Sequence, residues 1–146
     1  MNSPILLLDV NVWLALSVTR HEHCLAAQTW FSGLGAGDRL GFCRLTQLSF
    51  LRLLSQEAVM GRGSALGQLE AWQVYDRWLG VPAVKFMPEP NEIELHFRKF
   101  ARAAIPAPRR WADDYLIAFA VAAGLRLVTL DQDLSRRVPG AILLGG

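Results

Sequence analysis

The sequence predicts an α/β fold in which a mainly parallel sheet of about five strands carries helices on both faces. Three observations lead there. Pro4-Ile5-Leu6-Leu7-Leu8 is apolar without alternation, the pattern of a strand buried on both sides. Short apolar segments recur near residues 40–43, 83–87, 126–130 and 141–144. Helical spacing fills most of the intervals between them, and strands separated by helices pair in parallel with the helices packed on the faces. At 146 residues, about half of them apolar, the chain is long enough for one domain, 1–146, with a full hydrophobic core.

The first strand spans about 4–8 and runs into Asp9. Val12, Trp13, Leu14 and Leu16 have helical spacing. His21-Glu22-His23 opens a second helix, with Leu25, Ala26, Trp30 and Phe31 set for a buried face, and Gly33, Gly35 and Gly37 end it. After the strand at 40–43, Thr46 is a good N-cap for a helix from Gln47 to about Ala58, with Leu48, Leu51 and Leu54 inward. Ser64 caps a helix reaching about Trp78, with an aromatic stripe of Trp72, Tyr75 and Trp78. Asn91 and Glu94 have capping-box spacing for a helix over 92–104. A proline-stiffened loop covers 105–111. The helix from Asp113 to Ala123 stops at Gly124. Asp131 ends the fourth strand.

Composition excludes several classes. Half apolar and a fifth charged is a globular balance, not a disordered one. No apolar run reaches the roughly 18 residues of a membrane span, and the features of a signal peptide are absent. Cys24 and Cys43 form neither a CxxC nor a disulfide framework, so the expected setting is a reducing cytoplasm. A net charge of +2 neither demands nor excludes nucleic acid.

The chemistry lies in carboxylates. In a parallel sheet Asp9 and Asp131 both fall just past the carboxyl ends of their strands, where open α/β sheets bind ligands. Asp113 starts a helix after a loop that begins on the same side. Each has a plain structural alternative: Asp9 as a helix cap, Asp113 and Asp114 as first-turn acids, Asp131 and Asp133 as turn residues or caps of a short helix. Their convergence from positions over a hundred residues apart favours a site. Two carboxylates about 4 Å apart repel by roughly 4 kcal/mol at an effective dielectric near 20. They persist by sharing a proton or a cation. An all-oxygen cluster suits Mg²⁺ or Mn²⁺, which orients a water and neutralises a phosphodiester. His21 and His23, two apart at a helix start, read as surface or capping residues. No nucleophile triad or phosphate-binding loop is present.

Four segments in order resemble the motifs of PIN-domain ribonucleases, and most closely the VapC-type toxins of bacterial toxin–antitoxin pairs. They are Leu7-Leu8-Asp9-Val10-Asn11-Val12, Thr46-Gln47-Leu48-Ser49-Phe50-Leu51-Arg52, Asp113-Asp114-Tyr115-Leu116-Ile117-Ala118 and Val128-Thr129-Leu130-Asp131-Gln132-Asp133. The resemblance spans essentially the whole chain. It implies a three-layer α/β/α fold and a Mg²⁺- or Mn²⁺-dependent endoribonuclease, with Asp9 and Asp113 as metal ligands and Asp131 as a further acid. Asp113 takes the family position, two before Tyr115; Asp131, two after Thr129, fits better than Asp133. Asn11, Thr46, Gln47, Thr129 and Asp133 are the expected polar supports. Many PIN domains carry a glutamate on the helix near Thr46, where this chain has Gln47.

Arg109-Arg110-Trp111, leading to Asp113, reads as a phosphate-guiding, base-stacking rim or as a plain solvated loop. The resemblance further implies RNA as substrate, a VapB-like antitoxin seated in a helical groove, and a homodimer. Two other readings stay open: a non-catalytic PIN-like module that binds RNA or a partner, suggested by Gln47, and a different metal-dependent phosphohydrolase.

Overall fold

The structure, a computed structural model, describes residues 4–145; residues 1–3 and 146 lie outside it. Its strands are β1 (Leu6–Leu8), β2 (Leu40–Phe42), β3 (Val84–Phe86), β4 (Arg126–Thr129) and β5 (Ile142–Leu143). Its helices are α1 (Val10–Ser17), α2 (Cys24–Ser32), α3 (Arg44–Leu54), α4 (Glu57–Met60), α5 (Gln68–Leu79), α6 (Ile93–Phe100), α7 (Arg110–Ala123) and α8 (Gln132–Arg137). The sheet order is β3-β2-β1-β4-β5, and every pairing is parallel. This is the expected three-layer α/β/α arrangement.

Period-two alternation in β1 builds the two cores. Leu6 and Leu8 face Trp13, Phe42, Phe50 and Tyr75 beneath α1, α3 and α5. Leu7 faces Leu116, Ile117, Phe119, Leu127 and Leu134 beneath α7 and α8. Trp13 stacks on Phe42 with ring centroids 3.9 Å apart. Trp78 meets Trp13 edge-on and donates its indole N–H to Ser17 Oγ at 2.7 Å. Of the aromatic stripe, Tyr75 is therefore core, Trp78 half-buried, and Trp72 exposed.

Several local expectations are corrected. Thr46 is not the N-cap of α3; Cys43 is, and the Thr46 hydroxyl accepts the Cys43 N–H at 3.0 Å from within the first turn. The helix stops at Leu54 rather than Ala58, and Leu48 points to solvent, 61% exposed. Ser64 is not the cap: α5 begins at Gln68, four residues later, behind Gly67, whose N–H bonds Glu70. Asn91 and Glu94 form no capping box; α6 starts after Glu92 in the left-handed region and ends at Phe100, short of 104. The helix expected from Asp113 starts at Arg110 and takes in the end of the expected loop. In α2 the buried residue is Ala27, while Leu25 is 80% exposed. In each case tertiary packing overrides a local signal.

Gly124 ends α7 at φ 66°, and its N–H bonds back to Val121 O. A Cβ there meets no atom, so its cost is conformational. Gly124→Ala is expected to lose about 1 kcal/mol, read in a urea melt, whereas Gly37→Ala, with open space and no positive φ, stays close to wild type.

Candidate active site

The chain lays down β1, β2 and β3 outward in one direction, then returns to place β4 on the other side of β1. This reversal opens a crevice at the carboxyl ends of β1 and β4, the usual ligand position in such sheets. Asp9 follows β1 there and Asp131 follows Thr129, the last residue of β4, by two.

Asp9 is held on all sides. Its backbone N–H donates to Val128 O at 2.9 Å. Its carboxylate accepts from Val10 N at 2.7 Å and from the Thr129 hydroxyl at 2.9 Å. Asp9 is only 7% exposed and Thr129 is fully buried. Thr129 Oγ1 also accepts the Asp131 N–H at 3.0 Å, so one hydroxyl ties both acids to the crevice. Asp131 caps α8, accepting from Asp133 N and Leu134 N at 2.9 and 3.2 Å. The capping and site readings thus describe the same side chains: capping aims each carboxylate.

Burial raises the Asp9 pKa most; the two hydrogen bonds oppose this, and the charge of Asp131 adds to it. Asp113, in the first turn of α7 and partly exposed, is also raised, first by desolvation and then by the charges of Asp9 and Asp131. The three carboxylates therefore share one electrostatic neighbourhood. Among the described residues, no three Asp, Glu, His or Cys side chains stand as a preformed metal-binding group.

The adjacent Asp114 has a separate fate. It is buried and paired with Arg137 of α8. That ion pair fastens α8 to α7, and Arg137 also lowers the Asp113 pKa. The partner of Asp114, 23 residues on, had no sequence signal beyond its charge. Tyr115 donates its hydroxyl to Glu89 Oε2 at 2.6 Å, another link that spacing did not reveal.

The remaining candidates divide. Asn11 is exposed in the first turn of α1, next to Asp9. Asp133 contributes its backbone N–H to Asp131, while its carboxylate lies in solvent 3.9 Å from Arg136. Thr46 is spent on its own turn. Gln47 is buried, and its Oε1 accepts from Arg44 at 2.5 Å. Arg109, Arg110 and Trp111 are exposed at the start of α7, one turn before Asp113; Trp111 meets Phe97 edge-on.

Because Asp9 and Asp113 hold protons to higher pH in the fold than in the unfolded chain, their ionisation costs stability. In the metal-free protein their contribution to stability rises as pH falls through these raised values and is lost as pH rises. At neutral pH in EDTA, Asp113→Asn therefore raises Tm, by about 2–4 °C per kcal/mol of relieved repulsion. Asp114→Asn lowers it, since leaving Arg137 unpaired costs about 3 kcal/mol. Thermal melts followed by circular dichroism check both, and shifts of the same sign would contradict the division of labour.

Comparison with known proteins agrees with this fold. The family model for the PIN domain matches residues 6–138. Ribonuclease VapC41 of Mycobacterium tuberculosis is 42% identical over 129 residues, covering 86% of this chain and 88% of its own. Ribonuclease VapC39 of the same organism is 32% identical over 134 residues, covering 88% and 90%. In fold, the chain resembles VapBC2 from Rickettsia felis, crystallised on a DNA fragment from its promoter (TM-score 0.66, 12% identity, 95% and 96% covered). It also resembles M. tuberculosis VapC20, described as a Sarcin-Ricin loop cleaving toxin (TM-score 0.66, 12% identity, 90% and 94% covered). A five-stranded parallel sheet, acids at its switch point and relatives of this similarity place the chain in the PIN-domain family, among the VapC ribonucleases.

Proposed function

We propose that this chain is a divalent-cation-dependent endoribonuclease, the toxin of a type II toxin–antitoxin pair, working as a single PIN unit. The observation that carries the reading is the Asp9 carboxylate, buried at the switch point with Asp131 and Asp113 in electrostatic range. A buried anion among like charges is unstable alone and is relieved by a cation. The donors are all oxygen, which fits a hard ion, Mg²⁺ or Mn²⁺.

Asp9 and Asp113 are the proposed metal ligands, with Asp131 the third acid. When bound, such an ion activates a water and neutralises charge on the scissile phosphodiester. Thr129 holds Asp9 in a fixed rotamer and anchors the Asp131 backbone, so both acids keep their aim. Asn11, exposed beside Asp9, is placed to bond a water or a ribose hydroxyl. Arg109, Arg110 and Trp111 form the RNA-facing rim, two cations for phosphates and one ring for a base. Asp133 serves through its backbone and Thr46 through the α3 turn. The Gln47 oxygen is committed to Arg44, so Gln47 is not the fourth acid's substitute at the metal.

The antitoxin seat in this proposal is the groove between α3 and α5, a cavity of about 490 Å³ lined by Leu48, Leu51, Arg52, Ala71 and Trp72. Its apolar floor suits the nonpolar face of a peptide helix. Pairing as a homodimer belongs to the same reading. No described helix is long and apolar enough to cross a membrane.

Asp9→Asn and Asp113→Asn are each expected to reduce cleavage of RNA in Mn²⁺ at least about 100-fold with the circular dichroism spectrum retained. Both abolish the rise in Tm that Mn²⁺ gives the wild type. Wild-type cleavage by either folded variant refutes the assignment.

A further inference from the structure

One cation at the carboxyl edge is held unlike the others. Leu7 pairs with Gly41 across β1 and β2, so Asp9 and Cys43 end their strands side by side and Arg44 opens α3 at that edge. The Arg44 guanidinium lies over the ring of Phe86, 4.5 Å from its centroid, at the carboxyl end of β3. Its Nη1 donates to Gln47 Oε1 at 2.5 Å. Gln47 is buried, so the acceptor is itself held by the packing around it. Arg44 remains exposed.

Among the described residues, Arg44 has no carboxylate within ion-pair distance, as is true of most of the arginines; what sets it apart is the Phe86 ring beneath it. A guanidinium has five N–H donors, and Gln47 occupies one of its nitrogens. The others are presented to solvent with their full charge, on a side chain whose direction is already set. That is a preorganised phosphate site, since a planar fork matches two phosphate oxygens and little rotamer freedom is lost on binding.

We propose that Arg44 binds a phosphate of the RNA substrate and that Gln47 is its positioning residue. The proposal rests on the ribonuclease reading above and gives Gln47 a reason. A glutamate at 47 would accept the same hydrogen bond but form an ion pair, cancelling the charge that draws in the phosphate. Glutamine's neutral oxygen orients the guanidinium and leaves its charge intact. The residue that departs from the common family pattern therefore serves the substrate, not the metal.

The test is binding of a fluorescein-labelled single-stranded RNA of mixed sequence, followed by anisotropy across a salt series in EDTA so that no cleavage intervenes. Arg44 is exposed, so Arg44→Ala keeps the fold. It is expected to weaken binding about tenfold at low salt and to reduce the slope of log K against log salt by about 0.7. Arg44→Lys recovers the slope, because the charge returns, but only part of the affinity, because the fork does not. Gln47→Glu reduces the slope as Arg44→Ala does. A wild-type slope in Arg44→Ala, with RNA still bound and cleaved by the wild type, overturns this inference and leaves the ribonuclease reading standing. Gln47→Glu with unchanged RNA binding and a larger Mn²⁺-induced rise in Tm assigns Gln47 to the metal and overturns its positioning role. A wild-type protein that neither binds nor cleaves RNA removes both readings together.

Discussion

The Thr129 hydroxyl, donating to Asp9 and accepting from Asp131, is the contact on which the site depends. It joins residues 120 apart in sequence and exists only because β1 and β4 lie side by side. A carboxylate placed where Asp9 sits loses most of its water, and two neutral donors recover only part of that loss. The neighbouring acids then raise its cost further. A fold that keeps such a cluster keeps it for a partner of opposite charge. Cation and phosphodiester chemistry follow from that electrostatic deficit rather than from any one motif.

A further constraint is how α7 divides two consecutive aspartates. Successive helical residues point about 100° apart. Asp113 therefore joins the crevice while Asp114 sinks toward the core and takes Arg137. The ion pair pins α8, whose own N-cap is Asp131. One acid fastens the scaffold that aims another. On the opposite side of β1, Gln47 and Phe86 hold Arg44 in the same manner: a buried neutral group and an aromatic face fix a charged group that stays exposed. The crevice is thereby framed by acids at β1 and β4 and by a directed cation at the ends of β2 and β3.

Much of this architecture is legible in the chain. The unalternating run at Leu6–Leu8 marks a central strand, and two strand-end aspartates mark the shared edge. Those signals survive because they rest on burial and on sheet topology, which sequence records strongly. Helix ends are less legible. Thr46 has the chemistry of a cap because its hydroxyl does bond a turn, but it bonds backward to Cys43 from inside the helix. Leu25 and Leu48 have the right spacing for a core face and lie exposed, since periodicity alone does not say which of two apolar arcs is covered. The Asp114–Arg137 and Arg44–Gln47 contacts are hidden for different reasons. The ion pair depends on how α8 docks. Gln47 reads as a missing acid in the sequence, and only the fold shows that the arginine three residues earlier uses its oxygen.

Asp9 and Asp113 hold raised pKa values, so a cation that binds their carboxylates must expel their protons. Isothermal titration of Mn²⁺ in buffers of different ionisation enthalpy measures this directly. Proton release is expected where these carboxylates are still partly protonated, and is expected to fade as pH rises above their raised values. Binding with no proton release at any pH, or no binding of Mn²⁺, would contradict the claim that a buried, repelling acid cluster is built around a metal.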